Sequence, residues 1–206
     1  MKRGLLLILL SVIGLTSYSQ VKFEKGYFID NKGVKTLCLI NVPNLKYNPT
    51  KFDYKITEDA TLETHTIMEI KEFGTSDDVK FERYTVKIDR SSDNLSLLSK
   101  SVLPEFYVET LFLKEIVSGK ASLFSYKEED LVRFFFKVDD NAIEQLIYKS
   151  YLLGEKRFGV NNKYRQQLWI NMKFSGFKLS HFKRLRYRKR DLLKYFNKYN
   201  TFLGSK

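Results

Sequence analysis

The chain has 206 residues, 43% hydrophobic and 15% aromatic, which is enough apolar material for a packed core without covalent staples. A single cysteine excludes an intramolecular disulfide framework, and a formal net charge of +12 directs attention to anionic partners. The charge is uneven: residues 1–154 carry 21 basic and 22 acidic side chains, whereas residues 155–206 carry 15 basic ones against only Glu155 and Asp191.

In chain order, Lys2 and Arg3 precede an apolar run from Leu5 to Leu15, and Ser17-Tyr18-Ser19 then supplies a small-x-small cleavage site. This order predicts a secretory signal peptide over residues 1–19 and a mature start at Gln20. The apolar run is far shorter than the roughly 20 residues a membrane-spanning helix needs. No cysteine marks a lipoprotein cleavage point, and no transmembrane helix is expected in the mature chain. The expected location is therefore periplasmic, outer-membrane-associated or extracellular.

A hairpin is expected next, Gly26–Ile29 and Val34–Ile40 flanking Asp30-Asn31-Lys32-Gly33, since Asn and Gly tolerate the positive φ of tight turns. Cys38 falls in its apolar second arm and reads as an inert buried thiol. Pro43 and Asn48-Pro49 mark a loop before Phe52 and Tyr54. Further strands are expected over 62–70, 80–88, 110–117, 121–126 and 131–138, with a helix over Pro104–Leu113 as the rival reading of its segment. About seven strands result. From Asp140 the pattern turns helical. Asn141 with Glu144 has capping-box spacing and opens a helix ending at Gly154. A second helix is expected over Asn162–Met172, with Tyr164, Leu168 and Met172 on one face, and a third over His181–Tyr199, docked by Leu185, Leu192, Phe196 and Tyr199. The fold class expected is α+β: an antiparallel β-rich domain over 20–138, then a basic helical region over 139–206 packing on it.

Few residues carry chemistry. His65 and His181 are far apart and lack zinc-site spacing, and Asp77-Asp78, Asp139-Asp140 and Glu128-Glu129-Asp130 lack the spaced ligands and glycine of a calcium loop. Neither a P-loop nor a Gly-x-Ser-x-Gly elbow occurs. Ser92-Asp93-Asn94 and two Ser-x-x-Lys matches imitate elements of penicillin-binding enzymes, but their order is wrong and Lys-Thr-Gly is missing. No catalytic residue, cofactor or metal is assigned. The segment that stands out is basic: Lys183, Arg184, Arg186, Arg188, Lys189 and Arg190 are candidates for binding an anionic surface such as anionic lipid, lipopolysaccharide or an acidic envelope protein. Interleaved aromatics also suit nucleic acid, but export argues against that partner.

The residues Gly26–Asn31 with Gly33, Asn48-Pro49 before Phe52 and Tyr54, Ile88–Ser92, Phe112-Leu113 leading to Gly119–Leu123 and Tyr126, and Glu144–Lys149 with Tyr164 and Gln167-Leu168 carry a resemblance. On these the chain resembles uncharacterised exported cell-envelope proteins of flavobacteria and related Bacteroidota. Similar proteins commonly join an envelope domain to a longer C-terminal region of outer-membrane β-barrel character, and the resemblance implies no catalytic residues. The functional expectation is an exported, non-catalytic envelope binding or scaffolding module. The competing expectation is an exported hydrolase with a site assembled from dispersed carboxylates.

Overall fold

The computed structural model describes residues 22–41, 47–76, 79–154 and 157–204. The signal segment 1–19, Pro43, Asp77 and Asp78 lie outside them. Ten strands form one antiparallel sheet: β1 Phe23–Asp30, β2 Lys35–Asn41, β3 Lys51–Lys55, β4 Glu63–Thr66, β5 Ile70–Thr75, β6 Lys80–Asp89, β7 Phe106–Val117, β8 Ala121–Glu128, β9 Leu131–Val138 and β10 Glu144–Gln145. A separate hairpin, β11 Lys149–Gly154 with β12 Arg157–Asn161, precedes three helices: α1 Lys163–Met172, α2 Leu179–Arg184 and α3 Lys189–Gly204. The α+β class and the early antiparallel β structure hold, and the β1–β2 hairpin closes as expected, with Gly33 at φ +86° and the Asp30 carboxylate accepting from the amides of Lys32 and Val34.

The spatial order β10-β9-β8-β7-β6-β5-β1-β2-β3-β4 forces the sheet to roll. In a flat sheet β4 and β5 would lie four strand spacings apart, about 19 Å. The chain from Thr66 to Ile70 reaches about 14 Å at most. The sheet therefore curls until Phe52 of β3 stacks on Phe73 of β5 at 4.2 Å, with Phe28, Cys38, Ile40, Tyr54 and Phe81 closing the core. The other five strands curl as well: the Asp89 amide of β6 donates to Gln145 Oε1 of β10 at 2.8 Å, and Tyr84 meets Phe124 edge-on. Along β6, Phe81 lines the first roll, whereas Tyr84, Val86 and Ile88, at odd separations from it, line the second. The two rolls thus close on opposite faces of one sheet.

The outer face of the second roll carries the helices. In β9, Phe135 points into the roll while Phe134 and Phe136 pack under the helices beside Leu168, Leu192 and Phe196, so the strand is apolar on both faces. Two asparagines tie loops to this frame. Asn48 donates to the carbonyls of Phe112 and Ser125 and accepts from the Lys127 amide, serving backbone groups where β7 and β8 diverge. Asn200 of α3 accepts from the Ala121 amide and donates to its carbonyl, lying so close to Gly119 (φ +148°) that a Cβ there would sit 2.5 Å from its Nδ2.

Three expectations are corrected. The single strand over 62–70 is two, because the Glu69 carboxylate accepts from the Thr66 amide and hydroxyl and folds Ile67–Glu69 into a turn, whose carbonyls at Ile67 and Met68 bind Arg83. The helix over Asn141–Gly154 does not form. Its backbone is claimed elsewhere: the Leu146 amide by the Phe134 carbonyl, the Ile147 amide by Gln167 Oε1, and the Leu152 amide by the Ser99 carbonyl. The segment instead supplies β10 and β11, and among the described residues α-helix begins only at Lys163. The third helix is broken at Leu185–Arg188, where Tyr187 turns inward to accept from the Phe134 amide and donate to the Leu146 carbonyl. The rival helix over Pro104–Leu113 is also absent, since β7 starts at Phe106.

Candidate functional site

The break between α2 and α3 decides how the basic segment is displayed. Leu185 is buried and its carbonyl accepts from the Tyr164 hydroxyl at 2.6 Å and from Arg165 Nε at 3.1 Å, which pins the turn to α1. Tyr187 stacks on Tyr148 at 4.7 Å and lies edge-on to Phe134 and Tyr164. With both residues anchored, their charged neighbours point out. Lys183 and Arg184 end α2, Arg186 and Arg188 occupy the turn, and Lys189 and Arg190 open α3; all six are exposed.

One carboxylate answers these six cations. Arg186 Nε donates to Asp191 Oδ2 at 2.9 Å, and among the described residues Arg186 alone of the six is in an ion pair. Lys189 and Arg190 sit at the positive end of the α3 dipole, an unfavourable place for cations, with Asp191 the only acid of that turn. Lys114 lies near this end, where burial first and then the charge of Lys189 hold its ammonium below the usual lysine range.

Two pockets flank Arg186. One, of about 210 Å³ between α2 and α3, is floored by Phe177, Leu185 and Tyr195 and ringed by His181, Arg184, Arg186, Lys194 and Lys198 with Asp191. The other, of about 220 Å³, is bounded by Tyr148, Tyr164 and Tyr187 with Arg165, Arg186 and Arg188 and has no acid in its lining. Lys194, Lys198 and Arg165 were not singled out from the sequence, and His181 was weighed there only as a metal ligand. Lys194 and Lys198 are one turn apart on α3, so their shared face was legible, but their meeting with Arg184 depends on the chain reversal at 185–188.

Acidic groups gather elsewhere. Lys80 reaches Glu82, Glu115 and Glu72 at 2.7, 3.2 and 3.4 Å, while the hydroxyls of Tyr84 and Tyr27 donate to Glu82 and Glu72 at 2.6 Å. Burial, together with the neighbouring Glu82, raises the Glu115 carboxyl. A polar cleft of about 360 Å³ is lined by Arg90, Ser92, Asp93, Asn94, Glu128, Glu129 and Asp130. In it Glu128 is bound by Arg90, Asp93 is bound by the buried Arg133 at 2.6 Å, and Asn94 caps the short 3-10 turn Leu95–Leu97. The Ser92-Asp93-Asn94 triplet thus serves structure.

Cys38 is buried, and burial pushes its thiol up to about 11. His65 is packed, stacked on Tyr54 at 4.7 Å and edge-on to Phe28 at the same distance, with Glu69 at 3.8 Å. His181 Nδ1 accepts from the Lys178 amide at the start of α2. Among the described residues no three His, Cys, Asp or Glu side chains form a metal-ligand set, and no helix is long and apolar enough to cross a membrane. Comparison with family models, with curated proteins and with solved structures finds no match.

Proposed function

We propose that this is an exported, non-catalytic envelope protein of the kind it resembles in Bacteroidota, binding anionic surfaces such as acidic lipid or lipopolysaccharide through the turn between α2 and α3. The observation that carries the reading is the exposure of Lys183, Arg184, Arg186, Arg188, Lys189 and Arg190 with one carboxylate paired among them. Each such cation near an acidic membrane adds about 1 kcal/mol before screening. The order of charged, apolar and small residues over 1–19 supports export. The test is co-sedimentation with vesicles containing acidic lipid or lipopolysaccharide, as salt rises from about 0.05 to about 0.5 M. Binding that falls with salt, and that weakens when Arg186, Arg188 and Arg190 are replaced by Gln, supports the reading. Equal binding by parent and variant, or none by either at low salt, overturns it.

A second reading, an exported hydrolase with dispersed carboxylates, is favoured by the cleft where Asp93, Glu128, Glu129 and Asp130 converge. Turnover of chromogenic glycosides or esters by the parent, lost in Glu129→Gln/Asp130→Asn, would put it first.

A further inference from the structure

The pocket between α2 and α3 has more shape than a charged surface requires. Arg184, Arg186, Lys194 and Lys198 ring it against Asp191 alone, leaving a formal excess of three positive charges around about 210 Å³. Lys194 and Lys198 belong to α3 and Arg184 to α2, so two helices present cations to the same space. Crowding like charges around one space is unfavourable unless an anion relieves them, and a dianion relieves three charges better than a monoanion does. The floor of Phe177, Leu185 and Tyr195 is apolar, and the Tyr195 hydroxyl is already committed to the Met172 carbonyl, so the ring body rather than the phenol oxygen serves the pocket. His181 adds a ring whose Nδ1 accepts from the Lys178 amide, which places the proton of the neutral imidazole on Nε2. Cations at the rim over an aromatic and aliphatic base suit a phosphate joined to a body with an apolar face.

We propose that this pocket is a recognition site for a phosphate monoester, with Arg184, Lys194 and Lys198 binding the phosphate oxygens and Phe177 and Tyr195 supporting the group that carries it. The inference rests on the anionic-surface reading and names the headgroup that the surface must display. Arginine supplies a planar fork for paired oxygens and lysine a compact charge, a combination suited to phosphate. A diester, with a single charge and two substituted oxygens, leaves the site under-neutralised. A phosphorylated lipid headgroup and a free sugar phosphate share this chemistry.

The experiment compares the full chain with its Lys194→Gln/Lys198→Gln variant at low salt. The probes are vesicles carrying phosphatidic acid, a monoester, vesicles carrying phosphatidylglycerol, a diester, at matched surface charge, and a soluble hexose monophosphate measured by calorimetry. The parent is expected to prefer the monoester vesicles roughly tenfold, the variant to lose that preference, and its diester binding to fall by only about twofold. Both side chains are exposed, so unchanged melting of the variant is expected. Competition by the hexose monophosphate supports the site and assigns the free sugar phosphate as a ligand. Preference for monoester vesicles without such competition supports it and assigns the lipid-borne headgroup. Equal binding of both vesicles by the parent with no hexose phosphate binding, or an undiminished preference in the variant, overturns the pocket while leaving the charged surface standing. Loss of all vesicle binding overturns the surface reading, and the hexose phosphate arm then judges the pocket separately.

Discussion

Arginine is placed in this molecule on two opposite terms. Arg133 is fully buried, and its guanidinium donates to the carbonyls of Asp89, Ser91 and Val132 and to Asp93, with the buried Asp89 carboxylate 3.8 Å away. Asp89 in turn accepts from the amides of Ser91 and Glu105 and from the Ser91 hydroxyl. Both carboxylates there pair with Arg133, although Asp89 Oδ2 and Asp93 Oδ1 accept no hydrogen bond. Around the α2–α3 turn, six cations share one paired carboxylate, and they are held outward by Leu185 and Tyr187. Charge whose partners come from its own fold holds strands together. Charge left unanswered on a rigidly anchored turn is available to something else.

Breaking the first place should be the most damaging change. Arg133→Leu leaves Asp89 and Asp93 without their cation, and removing one partner of a buried pair costs about 3 to 5 kcal/mol; urea unfolding should show it as a large fall in midpoint. Asn48→Ala strips hydrogen bonds from three backbone groups, and an expected loss of about 2 to 4 kcal/mol follows from the penalty for unsatisfied buried polar atoms. Cys38→Ser puts a hydroxyl among Ile40, Tyr54 and Phe28, for about 1 to 3 kcal/mol, and the native thiol should resist maleimide labelling.

A pH titration sharpens the comparison at a smaller scale. Arg90 grips Glu109 through two hydrogen bonds and holds its carboxyl below the usual range. A lowered carboxyl stabilises the fold above its ordinary pKa near 4.3, and that support is lost as pH falls through the folded value. Arg90→Met should therefore flatten the acid side of the stability curve, with about 1 kcal/mol or less at neutral pH, as for a partly exposed pair. Glu115 acts in reverse: its raised carboxyl favours the fold at low pH and loses that contribution as pH rises through the raised value. The smallest change in stability is expected at the open place. Arg186→Gln/Arg188→Gln/Arg190→Gln should move the melting midpoint by no more than about 0.5 kcal/mol in equivalent stability, while vesicle binding weakens sharply.

Much of the sheet was legible because its strands carry their own signal. Leu131–Val138 matches β9 end to end, and β6, β8 and α1 fall within two residues of expectation. Asn141–Gly154 was misread because its helical spacing is real but its backbone partners are distant: Phe134, Gln167 and Ser99 outbid the local i−4 bonds, and no local pattern announces them. The six basic residues were visible as a run. Their division among helix end, turn and helix start was not, because it depends on Tyr187 finding the amide of Phe134, 53 residues earlier.

The order of the strands has a last consequence, for how copies of this chain meet one another. A rolled sheet of ten strands has two edges, and these are β4, four residues long, and β10, two residues long, while the longest strands, β6 and β7, are paired on both sides. Unpaired backbone along a long edge is the usual template for strand-to-strand aggregation. Here the two end strands of the ten-stranded sheet offer a neighbouring molecule little such template, so the large sheet of a chain rich in aromatics and β-branched residues can be crowded at a surface without joining end to end.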